Sequence, residues 1–247
     1  MLVSLLTINR NNAEGLRRTV ESVRRQLIHL PPEHSLEYII VDGESTDGSL
    51  ENLPQMNASV IKAEPKGIFN AINIGLAMTT GDIVGLLHSG DVYATDSALS
   101  GIIHNFECDG SLDYVWGDIT IGRRLYIGMP FTQKALMQGF APPHLSLYIN
   151  RKVLEIIGMY DEQFKVAGDY DYFVRLSKQR NLKGLYLNRI LVRMEPGGIS
   201  QSFRNRLWNN NKERLKSLKN NGLPAHYLRI LCHYRNVIKS FICLKKN

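Results

Sequence analysis

Three aspartates stand where a folded chain can use a carboxylate. Asp91 closes an apolar run, Ile83-Val84-Gly85-Leu86-Leu87, by way of the polar turn His88-Ser89-Gly90. A strand with apolar side chains on both faces belongs inside a layered α/β sheet, and polar residues at its carboxyl end fall where such sheets bind ligands. Asp91 therefore suits a nucleotide edge. Asp42 comes just after the apolar stretch 36–41 and opens Asp42-Gly43-Glu44-Ser45-Thr46-Asp47-Gly48; it is either an acceptor for a base or ribose, or a turn-forming aspartate. Asp169 opens Asp169-Tyr170-Asp171-Tyr172-Phe173, whose spacing to Leu176 puts it in a first helical turn, a favourable place for negative charge. Lys66-Gly67 precedes a helical pattern, Ile68, Ile72 and Leu76. The positive, N–H-rich end of that helix, with Lys66 beside it, suits a diphosphate.

The elements that must hold these groups alternate along the chain. Residues 2–8 read as a first strand ending in the polar loop Thr7-Ile8-Asn9-Arg10-Asn11-Asn12, and Leu16, Val20, Val23 and Leu27 then predict a helix stopped by Pro31-Pro32. Residues 36–41 form the second strand, 60–63 a short third, 68–78 the helix after Lys66, and 83–87 the strand leading to Asp91. Two β-loop-α units this compact predict a parallel sheet with right-handed connections and both polar loops at one carboxyl edge. Beyond them the pattern predicts a helix at 96–106, a strand at 113–119 and a hairpin continuation through Arg123, Arg124 and Tyr126. Leu145, Leu147 and Ile149 alternate as in a strand, followed by helices from Arg151 and Asp169 and the last strands across 185–195. Asp118, after Trp116-Gly117, is either a sugar-side carboxylate or a surface turn, and His144 either a functional contact or a structural hydrogen bond.

With 247 residues the chain is long enough for one large domain with an appendage. Three cysteines, Cys108, Cys232 and Cys243, without CxxC spacing indicate neither a disulfide framework nor a cysteine zinc site, and point to a reducing, cytoplasmic setting. The first residues lack the basic region and cleavage site of a secretion signal, and no apolar run reaches the roughly 18 residues of a membrane span. The net charge of +7 is concentrated: from Arg204 onward 11 basic residues face one acid, Glu213, giving +10, and the remainder carries −3. Across 227–242 the apolar Tyr227, Ile230, Leu231, Tyr234, Val237, Ile238, Phe241 and Ile242 share one helical face, opposite Arg229, Asn236, Lys239 and Ser240. Such a helix either lies on an anionic membrane surface or packs its apolar face on the domain.

Taken together, TINRNN, IIVDGESTDGS, EPKGIFNAINIGLAMTTGD and LLHSGD resemble, in order and spacing, the nucleotide-sugar half of family 2 glycosyltransferases. The resemblance implies an α/β fold of the GT-A type, Rossmann-like and mostly parallel with helices on both faces. A domain over 1–202, divided into a nucleotide-sugar half at 1–95 and an acceptor half at 96–202, would then carry a basic helical tail at 203–247. In that family Thr7 and Asn9 would contact the nucleoside, and Asp42 the base. The nucleotide-sugar set becomes Thr7, Asn9, Arg10, Asp42, Gly43, Ser45, Lys66, Gly67, Asn70, Asn73, Ser89, Gly90 and Asp91.

The family's Asp-x-Asp-like element holds a divalent metal, Mg²⁺ or Mn²⁺, on the diphosphate. Here it reads Ser89-Gly90-Asp91, so Asp91 is the metal ligand and the remaining ligands would come from diphosphate and water. The aspartate at the position of Asp169 is the catalytic base, with Gly168 where the family commonly has glutamate; Asp171 is the runner-up, and Asp118, His144 and Asp171 fall on the acceptor or sugar side. Gly197 and Gly198 match the flexible points of a closing loop. The implied reaction is inverting transfer from a UDP- or GDP-sugar to a saccharide or lipid-linked saccharide, as in surface polysaccharide synthesis, in the cytoplasm or on the inner face of its membrane. A non-catalytic nucleotide-sugar or glycan-binding protein is the alternative that Gly90 and Gly168 keep open. No nucleic-acid motif accompanies the tail, and no GxGxxG opens the first helix as a dehydrogenase would need.

Overall fold

Leu2–Asn9 (β1) and Ser35–Asp42 (β2) pair in parallel with Asn9 directly opposite Asp42, so the two polar loops leave the sheet side by side. Both strands are apolar on each face, which is why they lie in the interior of the sheet. Between them runs α1 (Ala13–Ile28). Asn12 caps it by accepting the Gly15 N–H at 3.1 Å, and Leu16, Val20 and Val23 are buried beneath it. The sheet continues through β3 (Ala58–Lys62) on the outer side of β2, and through β4 (Ile83–Leu86), reached by α2 (Ile68–Met78), on the inner side of β1.

The computed structural model describes residues 1–51, 53–54, 56–128, 131–196 and 209–230. After β4 come β5 (Val92–Tyr93), α3 (Ala98–Cys108), β6 (Tyr114–Ile121), β7 (Arg124–Tyr126) and α4 (Gln133–Met137). A 3-10 turn at His144–Ser146 leads to β8 (Tyr148–Asn150), α5 (Arg151–Ile157), α6 (Gly168–Ser177), β9 (Gly184–Met194), α7 (Asn210–Asn220) and α8 (Tyr227–Ile230). Among the described residues nine strands form one sheet in the order β3-β2-β1-β4-β8-β6-β9-β5, with β7 paired to β6. The half from β3 to β4 is wholly parallel, as the sequence pattern predicts. The other half is mixed: β8 runs antiparallel to β4 and β6, β6 and β9 are parallel, and β5 is antiparallel to β9.

Two departures from the sequence reading bear on function. The alternation at 145–149 predicts a strand, yet only Tyr148–Asn150 is one, and His144–Ser146 turns instead. Pro142-Pro143 supplies no N–H donors to a ladder, and Ser146 Oγ closes the turn onto the Pro143 and Gly117 carbonyls, both at 2.8 Å. Second, the tail begins as part of the domain. Helix α7 lies against α6, and Leu218 and Ile230 join the apolar core. The expected flexible points Gly197 and Gly198, residues 203–208, and the amphipathic pattern beyond Ile230 lie outside the described residues.

Candidate active site

The turn carrying Asp91 is clamped from beneath by α1. Thr19 Oγ1 donates to the Asp91 carbonyl at 2.8 Å and accepts the Gly90 N–H at 3.0 Å, while the Ser89 N–H reaches the Ile8 carbonyl at 3.1 Å. Asn12 ties the β1 loop to the same turn through Nδ2 on the Ser89 carbonyl at 3.2 Å. Above the turn opens a cavity of about 420 Å³ whose polar wall includes Arg10, Asn12, His88, Ser89, Asp91, His144, Lys165, Asp169 and Glu195, with Ile68 and Phe69 from the start of α2. The expected cation ligand and the expected base thus face one space, although 78 positions separate them in sequence.

Asp91 is 4% exposed. One carboxylate oxygen accepts the Glu195 N–H at 2.9 Å; the other has no hydrogen bond among the described residues. Burial pushes the Asp91 carboxyl up to about 7; the Glu195 N–H and His144 oppose this, and the negative charge of Glu195 adds to it. A buried carboxylate short of compensating charge fits a cation. Among the described residues no three metal-ligating side chains converge. A cation here would therefore draw ligands from its substrate and from water as well.

Asp169 lies half-buried in the first turn of α6, with Oδ1 on the Tyr170 N–H at 2.7 Å and Oδ2 3.4 Å from His144 Nδ1. Burial, the largest influence, pushes its carboxyl up, but His144, Arg214 and the Tyr170 N–H together outweigh it and hold Asp169 below the ordinary carboxylate range. His144 Nε2 is in turn 3.2 Å from His88 Nε2. Burial, then the neighbouring His144, drives His88 down to about 3, so it is neutral across the physiological range. His88 Nδ1 is buried without a hydrogen-bond partner among the described residues. With His88 neutral, one Nε2 of the His88–His144 pair donates to the other, and His144 donates from Nδ1 to Asp169.

The loop before α6 is held by the single acid of the tail. Glu213 on α7 accepts the N–H groups of Lys165, Val166 and Ala167 at 3.0, 2.9 and 2.8 Å. A carboxylate at a helix N-terminus is stabilising, and here it also fixes the backbone that leads to Asp169. Gly168 packs against the Phe69 ring, and a Cβ there would approach ring carbons to 2.7 Å. No room exists for the glutamate that commonly precedes the base in the resembling family.

The remaining expected residues divide. Asn9, Asp42 and Ser45 form one cluster beside Arg10. Asn9 Nδ2 and Ser45 Oγ both donate to Asp42 Oδ2 at 2.7 Å, and the Ser45 N–H reaches Oδ1 at 2.8 Å. Asp42 is buried with both oxygens engaged, and Asn9 Oδ1 is buried with no hydrogen-bond partner among the described residues. Gly43 lets the Arg10 stem pass across it: a Cβ would meet Arg10 carbons at 3.4 Å. Thr7 is fully buried, its hydroxyl donating to the Leu87 carbonyl at 2.6 Å beside Tyr38, so its side chain belongs to the sheet rather than to the cavity wall.

Gly67 caps α2 at a φ of 125° with open space beside it, while Lys66 is exposed and pairs with Glu64 at 3.0 Å. Asn70 and Asn73 both donate to Glu162 at 2.9 Å and so brace the loop before α6. Asp118 and Asp171 are structural. Asp118 is buried and accepts the Gly128 N–H at 2.7 Å and the Tyr186 hydroxyl at 2.6 Å. Asp171 is buried between Arg175, Ser217 and Asn221. Both were expected on the acceptor or sugar side, and neither lines the cavity. Lys165 and Glu195 line it without having been singled out from sequence. Their only signals were a lysine shortly before Asp169 and a glutamate immediately before Pro196-Gly197-Gly198.

Comparison with known proteins accords with this geometry. The family model for Glycosyl transferase family 2 matches residues 4–172. An uncharacterized glycosyltransferase of Mycobacterium tuberculosis is 29% identical over 181 residues, 70% of this chain and 68% of that protein. Among solved structures, S. aureus TarS 1-349 in complex with UDP-GlcNAc superposes with a TM-score of 0.70 at 17% identity, covering 96% of this chain and 72% of that one. The mannosyltransferase PcManGT of Pyrobaculum calidifontis, in complex with GDP-Man and Mn²⁺, gives 0.64 at 15% identity, covering 88% and 63%. At such identities the likeness is one of fold, the GT-A arrangement.

Proposed function

We propose that this chain, which belongs to glycosyl transferase family 2, moves a sugar from a UDP- or GDP-sugar to a hydroxyl of a saccharide acceptor with inversion at the anomeric carbon. That it is a sugar-transferring enzyme follows from the family. The single observation that carries the mechanism is the cavity in which Asp91 and Asp169 converge with the cations Arg10 and Lys165. The nucleoside would lie over the Asn9–Asp42–Ser45 cluster, with its diphosphate toward Arg10, Lys165 and the N-terminal end of α2. The donors bound by TarS and PcManGT support a nucleotide-sugar, and the Mn²⁺ of PcManGT supports a divalent cation.

Asp91 would hold that cation, which when bound supplies positive charge to the departing diphosphate. Asp169 accepts the proton of the acceptor hydroxyl, whose oxygen attacks the anomeric carbon from the face opposite the nucleotide. The bond from that carbon to the diphosphate oxygen breaks, and its electron pair leaves with the diphosphate. Arg10 and Lys165 bind that negative charge, so the leaving group requires no proton. His144 orients Asp169 and favours its charged form. The acceptor reading extends to a lipid-linked saccharide in surface polysaccharide synthesis. Residues 224–247, with five basic residues and no acid, would hold the enzyme on the anionic inner face of the cytoplasmic membrane. No helix among the described residues is long and apolar enough to cross a membrane.

The test is a thermal-shift screen of UDP- and GDP-sugars with and without Mn²⁺, followed by transfer assays on Asp169→Asn. That variant should lose about 10²- to 10⁴-fold in turnover, the usual contribution of a general base, with nucleotide affinity unchanged. Wild-type turnover by Asp169→Asn would refute the base assignment.

A further inference from the structure

Only one carboxylate remains in the turn Ser89-Gly90-Asp91, and the fold shows why none stands at position 90. Gly90 has a φ of +100°, a conformation L side chains rarely adopt, and a Cβ built there would lie 2.5 Å from Glu195 Oε2. The space beside Gly90 is already filled by the carboxylate of Glu195, just past β9, the strand to which β5 pairs. Its backbone is locked to the same turn, since the Glu195 N–H is the donor on Asp91 Oδ1 at 2.9 Å. Both side chains line the cavity, and the oxygen of Asp91 without a hydrogen bond among the described residues belongs to a residue only 4% exposed. Two carboxylates with Arg10 and Lys165 on the same wall form a mixed-charge surface suited to a cation bridging to an anionic diphosphate.

We propose that Glu195 is the second carboxylate ligand of the divalent cation, taking the place of the acidic residue missing from the 89–91 turn. This rests on the reading of Asp91 as a cation ligand. Hard divalent cations favour several oxygen ligands, and two carboxylates leave the other positions to diphosphate and water. Arg18 pairs with Glu195 Oε1 at 2.5 Å, and Oε2 is left turned toward Gly90. The cation site is thus assembled from the turn between β4 and β5 and the residue just past β9, the strand to which β5 pairs.

The experiment is a titration of Mn²⁺ into the full chain, followed by loss of the free-ion EPR signal, alone and with UDP or GDP. It compares wild type, Glu195→Gln, Asp91→Asn and Arg18→Gln, with nucleotide affinity in EDTA and melting temperature as controls. Glu195→Gln should weaken Mn²⁺ binding in the nucleotide complex at least as much as loss of an outer-shell partner does, about 10- to 100-fold. Its metal-free nucleotide affinity and melting temperature should stay at wild-type values, and Arg18→Gln should retain Mn²⁺ affinity. Unchanged Mn²⁺ affinity in Glu195→Gln with loss in Asp91→Asn would overturn the assignment of Glu195 and leave that of Asp91 standing. Equal loss in Arg18→Gln and Glu195→Gln would show that the ion pair, not a ligand, matters, and would also overturn it. No Mn²⁺ binding by wild type, or full binding by Asp91→Asn, would instead refute the reading of Asp91 on which the proposal stands.

Discussion

Replacing Asp171 with alanine separates two carboxylates that stand two positions apart on one helix. Asp171 Oδ2 accepts from Arg175 Nε at 2.8 Å, and Oδ1 accepts from Ser217 Oγ at 2.8 Å and Asn221 Nδ2 at 3.2 Å. It therefore fastens α6 both to itself and to α7. Removing one partner of a buried charge pair costs about 3–5 kcal/mol. The lower end applies here, because Arg175 keeps the Ile157 carbonyl at 2.6 Å and lies 5.1 Å over the Tyr172 ring, and Asn221 keeps the Ser217 carbonyl at 2.9 Å. For a chain of this size each kcal/mol shifts the melting temperature by about 2–4 °C. A loss of about 3 kcal/mol thus predicts a fall of about 6–12 °C.

Calorimetry gives the shift, and transfer assays well below the new midpoint give turnover per folded molecule. The expected result is a large fall in melting temperature with most turnover retained, because Asp171 does not reach the cavity. Abolished turnover at an unchanged melting temperature would refute the reasoning and make Asp171 the base.

Two further predictions concern the base and the glycine before it. Asp169 is held low in the folded enzyme, so with the cation saturating, which keeps Asp91 charged, the proposed base is protonated only below the ordinary carboxylate range; His144→Gln leaves burial as the dominant influence. The acid limb of its pH–rate profile should move to higher pH, whereas a purely structural His144 would lower turnover without moving the limb. Gly168→Glu, which restores the carboxylate common in the family, should not raise activity. Its Cβ would press on the Phe69 ring in the cavity wall, an overpacking cost of about 1–3 kcal/mol, so melting temperature and turnover should both fall. A gain in turnover would show that the ring yields.

The first half of the fold is legible because its signals are local. Apolar runs ended by polar turns mark β1, β2 and β4, and because parallel strands share a direction, their loops must share an edge. That alone put Asp42 and Asp91 at one rim. The second half is less legible. Nothing local says that β8 turns antiparallel, or that the turn at His144 brings its ring against His88. A carboxylate in a sequence also carries no label of depth. Asp118 and Asp171 read as sugar-side candidates, and the structure buries both among donors from other elements.

The sequence by itself determined the order of the α/β units, the positions of Asp91 and Asp169 at strand and helix ends, and the basic character of the tail. Tertiary structure decided which groups meet at the cavity, with His144 on Asp169 and Glu195 beside Gly90, and put Glu213 beneath the loop that leads to Asp169. The physical reason is separation. Strand and helix ends follow from the periodicity of neighbouring residues. Contacts such as Asp91 with Glu195 or Asp171 with Ser217 join residues far apart in the chain, and only sheet order and helix packing bring them together.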